Sequence, residues 1–216
     1  MGLCLLMAAC GNDTSTNSNA TKEWQAPASA TSQAESEKDV LHQMPDSDQI
    51  EEAYEAILEK ADADDPELME VQVSFSKSIA GPERDDSNLS VKLVSLRNKN
   101  KIVFYRYDFP EKRVREPVDV TLTTGIGSTE KFIDTYDGFK ASLFKKSDIL
   151  DFDKADDAYR EAITKSEYEP KDCYINGLQF MYFPNGLRGS VSVQSTRSSS
   201  ASKSFSIDRE GNMTAY

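Results

Sequence analysis

Apolar positions near the start of the folded part of the chain follow a helical period. In "DSDQIEEAYEAILEKADADD", residues 46–65, apolar residues recur at i, i+3, i+4, i+7, i+8 and i+11, which is the stripe of an amphipathic helix. The members of this stripe are Ile50, Ala53, Tyr54, Ile57, Leu58 and Ala61. Asp46 and Gln49 have the spacing of an N-terminal capping box. The pattern therefore predicts a helix that begins near Asp46.

A period of two follows this helix. In "MEVQVSFSKS", Val71, Val73 and Phe75 alternate with polar residues, which is typical of a half-buried strand. The segments "LSVKLVSL" and "KIVFYRYD" come next, and "VREPVDVTL" follows a turn at "FPEK". Residues 46–122 therefore predict one helix that covers the apolar face of a four-stranded antiparallel sheet.

The same order recurs in residues 151–216. "DDAYREAI" places Ala158 and Tyr159 as "EEAYEAIL" places Ala53 and Tyr54, and "INGLQFMYF", "LRGSVSV" and "KSFSIDREGN" follow as further strands. The helix and first strand recur at an offset of about 105 residues and the later strands at about 100, which indicates an internal duplication. The predicted fold class is α+β, with two tandem units, each of one helix packed on a four-stranded antiparallel sheet.

This layout is similar to small secreted α+β modules such as the PepSY-type domains and the tandem β-lactamase inhibitor proteins. The resemblance rests on element order and turn spacing over residues 46–216, and it implies proteins that mostly bind or inhibit other proteins. Fold analogy alone does not transfer that function.

The connector between the units, residues 123–150, allows two interpretations. Phe132, Ile133, Tyr136 and Phe139 fit a short connecting helix, whereas "FKASLF" fits an extra edge strand of the second unit. The pattern does not decide between them.

The first residues of the chain differ from the rest. Residues 1–9 are apolar and lack Lys and Arg, Met7, Ala8 and Ala9 precede Cys10, and a tract of Ser, Thr, Asn, Ala and Gln follows at once. The segment resembles the lipobox of bacterial lipoproteins. The resemblance implies a signal peptide over residues 1–9, cleavage before Cys10 and lipidation of its thiol with diacylglycerol and further acyl chains such as palmitate. The short segment without a positive n-region also predicts a start codon further upstream.

Lipidation of Cys10 implies a lipid bilayer as partner and a cell-envelope location, because several acyl chains anchor a protein almost permanently. Residues 10–45 are then the lipidated cysteine and a disordered tether, since this composition cannot offset its ordering entropy. Gly11 stands where the inner-membrane retention signal of the family has aspartate, which favours the outer membrane if the host is Gram-negative, with the domain at the periplasmic face or the surface. The alternative is a frayed apolar N-terminus of a cytosolic protein.

Composition and residue types exclude several functions. A net charge of −12 argues against nucleic acid, which binds clustered positive charge. His42 is the only histidine, so neither a serine or cysteine triad nor a zinc site is expected. A calcium loop starting at Asp62 fails, because Glu67 and Val73 stand where Gly and Glu are required. No catalytic residue, metal or cofactor is predicted, and Cys173 is interpreted as a small buried side chain.

Charge is strongly segregated along the chain. Residues 46–70 hold eleven Asp or Glu and one Lys, whereas residues 97–115 carry seven Lys or Arg. Either the two segments neutralise each other, or the acidic one is a docking surface for a basic partner. Two aromatics of one strand are further candidates if they are exposed, with a second layer of core as the alternative, and so is one arginine of a polar loop. The candidate binding residues are Glu51, Glu52, Glu55, Glu59, Asp62, Asp64, Asp65, Phe180, Tyr182 and Arg197.

These features predict a lipid-anchored cell-envelope protein with a non-catalytic domain that binds another envelope or secreted protein. One alternative is an inhibitor or toxin-immunity protein that uses the acidic region. Another is a carrier of a small apolar envelope ligand, and an enzyme with paired carboxylates is a lesser possibility.

Overall fold

The computed structural model describes residues 44–78, 80–124 and 129–215, apart from the side chain of Glu83. The predicted signal peptide, Cys10, His42 and nearly all of the predicted tether lie outside the described residues. Met44 and Pro45, the last two residues of the predicted tether, are buried, and Met44 belongs to the main core. The folded part therefore includes the two residues before Asp46.

Helix α1 spans Ser47–Ala61 and begins at the predicted cap. The Asp46 carboxylate accepts a hydrogen bond from the Gln49 backbone N–H at 2.9 Å, and the Gln49 side-chain oxygen accepts the Asp46 N–H at 3.1 Å. This reciprocal pair confirms the capping box. The buried residues of α1 are Ile50, Ala53, Tyr54 and Ile57, as the stripe predicts.

The described residues contain two more helices and eleven strands. Helix α2 spans Tyr136–Phe139 and α3 spans Ala155–Ser166. The strands are β1 Leu68–Ser76, β2 Asp86–Val94, β3 Ile102–Asp108, β4 Arg113–Val114, β5 Val118–Val120, β6 Leu122–Thr124, β7 Lys131–Ile133, β8 Cys173–Phe183, β9 Gly186–Ser195, β10 Ser202–Ile207 and β11 Met213–Ala215. The chain therefore has the α+β class.

Strands from both predicted units lie in one antiparallel sheet. Nine described strands form it, in the order β11-β10-β9-β8-β1-β2-β3-β4, with β5 also paired to β3, while β6 and β7 form a separate ribbon. The predicted fourth strand of the first unit, "VREPVDVTL", is instead divided among β4, β5 and β6. Pro117 lies at the first interruption, where it offers no backbone N–H to a ladder.

The first strands of the two halves meet at the centre of the sheet. β1 pairs with β8 from Glu70 opposite Met181 to Ser74 opposite Gly177, and Gln72 faces Gln179 in the middle. Each of these strands also has one register irregularity near its start, between Leu68 and Glu70 in β1 and between Ile175 and Gly177 in β8. The two halves thus share element order and the position of a bulge.

Both long helices cover the same face of the sheet. Helix α1 contacts β2, β3 and β4, and α3 contacts β8 to β11. Their apolar stripes and the inward side chains of the strands form one buried cluster. The opposite face carries half-buried polar residues such as Gln72, Ser90, Gln179 and Ser190. The helix-covered side therefore holds the main core.

The connector combines parts of both interpretations of its sequence. Ile133 ends strand β7, and the single-turn helix α2 follows. Phe144 makes one isolated antiparallel bridge to Leu68, but "FKASLF" forms no strand. Phe139 packs with Val94 in a second, small cluster. Since Leu93 belongs to the main core, alternation along β2 places this second cluster on the other face of the sheet.

Candidate functional site

A groove of about 700 Å³ runs beside α1. One wall is α1 with the segment that follows it, and the other is formed by residues 146–154 together with Arg209. The lining residues are Glu51, Tyr54, Glu55, Leu58, Asp64, Asp65, Lys146, Ser147, Ile149, Asp151, Lys154 and Arg209. The groove therefore has an acidic wall, a mainly basic wall and apolar side chains between them.

Aromatic packing holds the second wall beside α1. Phe152 is 1% exposed, and its ring meets that of Tyr54 edge to face with centroids 5.5 Å apart. The ammonium of Lys146 lies 3.6 Å from the centroid of the Phe152 ring. The Ser47 hydroxyl also donates a hydrogen bond to the Asp153 carbonyl at 3.3 Å. These contacts hold the second wall of the groove beside α1.

The acidic wall is largely uncompensated. Asp65 pairs with Lys145 at 3.0 Å, but within the described ranges Glu51, Glu55 and Asp64 have no ion pair. Partial burial raises the pKa of the Glu51 carboxyl above its ordinary value, and neighbouring carboxylates act in the same direction while Lys146 opposes them. The groove thus keeps negative charge at a place where its solvation is reduced.

Tyr54 is the buried aromatic residue that α1 contributes to the groove. Its side chain is 4% exposed, it lines the groove, and its hydroxyl has no hydrogen-bond partner among the residues that the structure describes. Burial, followed by the nearby charges of Asp65 and Glu51, raises the pKa of the phenol, so it is protonated at physiological pH. The buried ring therefore presents a neutral polar group that can donate or accept one hydrogen bond.

The remaining predicted acidic residues extend beyond the groove. Glu52 and Glu59 are exposed on α1, and neither has an ion pair in the described part of the chain. Asp62 ends α1 in a left-handed conformation with φ of 54° and borders a second cleft of about 460 Å³. We define the acidic face as the exposed carboxylates of α1 and its exit that have no ion pair within the described ranges. Its members are Asp48, Glu51, Glu52, Glu55, Glu59, Asp62 and Asp64.

The basic segment does not neutralise the acidic face by ion pairing. Four of its seven cations pair with carboxylates of the strands and turns around them, as Arg106 does with Asp86 at 3.1 Å and Arg113 with Glu111 at 2.6 Å. One described ion pair joins α1 to this region, but here the cation is on α1: Lys60 lies 3.3 Å from Glu116. The interpretation of mutual neutralisation is therefore wrong for the described ion pairs.

The other predicted binding residues do not join the groove. Phe180 is 2% exposed and belongs to the core, so its prediction as a binding residue is corrected. The cause is the bulge near Asn176, which shifts the alternation of β8 so that Phe180 points toward the helices. Tyr182 is 36% exposed, with its ring 6.5 Å from that of Phe144, and Arg197 pairs with Asp172.

The described residues show little that resembles a catalytic or metal site. Cys173 is buried, its Sγ lies 3.8 Å from the Pro170 carbonyl oxygen, and burial raises the pKa of its thiol to about 11. In the same ranges, no group of three His, Cys, Asp or Glu side chains could hold a metal ion. No helix in the described part of the chain is long and apolar enough to span a bilayer.

Sequence reasoning did not find part of the groove. Tyr54 was interpreted only as a core residue of the helical stripe, and no local pattern marks Lys146, Lys154 or Arg209. These residues join α1 only because the connector folds back along it and the turn after β10 approaches the same end. The sole available signal was the isolated apolar pair Ile149 and Leu150 within a charged stretch.

Comparison with known proteins gives little further guidance. No protein-family model matches the chain, and no curated protein matches it significantly. One solved structure that it resembles is a proposed lipoprotein of Clostridium difficile 630, with 11% sequence identity and a TM-score of 0.47. The alignment covers 75% of this chain and 87% of that one. A likeness at this level carries no information about function.

Proposed function

We propose that the chain is a lipid-anchored protein of the bacterial cell envelope whose folded part binds a basic protein through the acidic face. The observation that carries the binding role is the set of exposed carboxylates on α1 and its exit that have no ion pair within the described ranges. The lipobox-like residues before Cys10 and the polar tract after it support the anchor.

Unpaired carboxylates on one helix cost stability. Glu55 stands four residues from both Glu51 and Glu59, and Asp48 stands four from Glu52. Each such like-charge pair destabilises a helix by about 0.2–0.5 kcal/mol. A partner that brings Lys or Arg to this face removes the repulsion and is captured faster by the long-range field. We expect a docking surface to have this property: its like charges destabilise the free protein, and they have no ion pair within the described ranges.

We further infer that residues 46–122 and 151–216 are tandem repeats. The support is geometric: a helix followed by strands in each half, a bulge at the same point of β1 and β8, and Gln72 opposite Gln179 at the join. The loop between β1 and β2 is longer than that between β8 and β9. The sequence offset between matching strands of the two halves is therefore smaller after this loop than before it. The acidic face belongs to the first repeat.

The anchor is tested by metabolic labelling with radioactive palmitate and by membrane fractionation. Labelled protein in the membrane fraction, lost together in a Cys10→Ala variant, is expected. A Cys10→Ala variant that stays in the membrane fraction would contradict lipidation as the anchor.

The partner is tested by affinity capture from envelope extract of the source organism at low and moderate salt. We expect one stoichiometric partner that is released as salt rises, because exposed charges are screened. The Glu52→Gln, Glu59→Gln double variant should lose most of this partner. Glu130→Gln, Asp134→Asn is the matched control, since it removes the same charge from exposed residues of the connector. Equal capture by both variants would refute the role of the acidic face.

The alternative functions differ in their support. An inhibitor or immunity protein uses the same binding chemistry, and the identity of the captured partner distinguishes it. A carrier of a small apolar ligand has less support, because four of the clefts among the described residues are edged by charged or hydroxyl side chains.

A further inference from the structure

We propose that the groove beside α1 receives one arginine or lysine side chain of the basic partner, which Tyr54, Glu51 and Glu55 recognise. This inference rests on the proposed function and adds the point on the acidic face at which the partner is anchored. It distinguishes recognition of one side chain in a specific pocket from the general electrostatic attraction of a basic partner to the whole acidic face.

The first argument is the unpartnered hydroxyl of Tyr54. The side chain is more than nine-tenths buried, its ring is fixed edge to face against Phe152, and it lines the groove. A polar group at such a position normally has a hydrogen-bond partner, and in the free protein that partner can only be water in the groove, because the hydroxyl is not one of the fully enclosed unpartnered atoms of the described residues. The N–H of an ammonium or guanidinium ion supplies that partner directly, because the hydroxyl oxygen accepts.

The second argument is the chemistry of the surrounding wall. Glu51 and Glu55 line the groove one helical turn apart, and neither has an ion pair in the described part of the chain. Leu58 and Ile149 add apolar surface to the lining. A long cationic side chain matches this arrangement, because its alkyl stem covers apolar atoms while its charged end meets carboxylates.

The basic wall limits where a cation can sit. Lys146 is held over the Phe152 ring and lies 3.5 Å from Asp151. It forms no ion pair with α1 in the described part of the chain, but its charge acts on Glu51 and also repels a guest cation. Lys154 and Arg209 are exposed and line the opposite side. They repel a cation from that side, so neutralising Lys154 should strengthen binding of the guest side chain.

The experiment titrates the full-length chain with the tripeptide acetyl-Gly-Arg-Gly-amide and follows binding by NMR. The same peptide with citrulline, which keeps the shape and removes the charge, is the probe control. We expect saturable binding of the arginine peptide only, about fivefold weaker in Tyr54→Phe, because one hydrogen bond to the cation is lost. Lys154→Gln should bind the arginine peptide more tightly than the wild type does.

The matched pair of variants is Glu51→Gln and Glu52→Gln. These neighbours on α1 change net charge equally, but only Glu51 lines the groove. We expect clear weakening of peptide binding in Glu51→Gln and little change in Glu52→Gln. Equal weakening in both, or equal affinity for the arginine and citrulline peptides, would overturn the pocket. Thermal unfolding of each variant verifies that it is folded.

The outcomes separate this inference from the proposed function. If the peptide fails to bind while a natural partner is still captured through the acidic face, the pocket is refuted and the docking surface stands. If the peptide binds but no protein partner is captured, the pocket recognises cations and the proposed function fails. A peptide affinity about fivefold weaker in Tyr54→Phe, without loss of fold, is the result that only the pocket predicts.

Discussion

Gly189 in β9 allows a sharp test of how closely the second half of the sheet is packed. It lies opposite Phe180 of β8 and opposite Ile207 of β10. A Cβ atom at this position would stand 2.6 Å from the Phe180 ring, 2.6 Å from the Ile207 side chain and 2.8 Å from the Ile207 carbonyl oxygen. All three distances are shorter than real Cβ contacts, and the third involves backbone that cannot rotate away.

The expected effect of Gly189→Ala is the difference of two opposing contributions. Overpacking in a close-packed core costs about 1–3 kcal/mol. Replacing glycine in a strand recovers about 0.5–1 kcal/mol, because the unfolded chain loses conformational freedom. Since all three contacts are shorter than 3.0 Å, we expect overpacking in the upper part of its range, about 2–3 kcal/mol. The free energy of unfolding should therefore fall by about 1–2.5 kcal/mol, which corresponds to a drop in Tm of about 2–10 °C for a domain of this size.

Chemical denaturation and calorimetry of the two variants measure this difference directly. Gly177→Ala in β8 is the matched control, since its Cβ would meet only the Val73 carbonyl oxygen at 3.6 Å. That substitution should be neutral or slightly stabilising. A Gly189→Ala protein as stable as the wild type would refute the close approach of β8, β9 and β10 on the helix-covered face.

Two further predictions concern buried groups. Asp108 has a side chain only 3% exposed; burial alone would raise its pKa, but Arg106 and Arg115 outweigh burial and hold the pKa below the ordinary value of 3.8. Asp108→Asn should therefore lower the free energy of unfolding by about 1–3 kcal/mol at pH 7, as measured by urea denaturation. The difference from the wild type should be complete above pH 3.8. It should shrink as the pH falls from there through the lower pKa that Asp108 has in the folded state. Cys173, whose pKa burial raises to about 11, should resist iodoacetamide at pH 8 in the folded chain and react after unfolding, as peptide mapping shows; rapid labelling of the native protein would contradict its burial.

Local patterns predicted the elements whose structure is set by nearby residues. The α1 stripe, the Asp46 and Gln49 cap, and the alternation of β1 all follow from spacing within one element. The orientation of Phe180 did not follow, because one extra residue near Asn176 reverses the alternation of β8 and leaves no mark in the composition.

Residues of the groove were predictable only in part. Glu51 and Glu55 were candidates because they are charged residues on an exposed helix face. Tyr54 was not, because the helical period assigns it to the core, where its ring does pack edge to face on Phe152, although the residue also lines the groove. Lys154 and Arg209 come from distant segments, so their position depends on long-range packing that no local pattern records.

The join between β1 and β8 explains why partner binding is expected at the helix side and not at a strand edge. In either half alone, the first strand would pair only with the strand that follows it, and its other edge would be a long exposed one that invites uncontrolled strand addition. In the protein, β1 pairs with β8, with Gln72 opposite Gln179, and both of these strands therefore lie inside the sheet. The sheet then ends in short strands, with three residues in β11 at one end and two in β4 and three in β5 at the other. Since these ends offer little backbone to a partner, we expect the partner at the acidic face of α1.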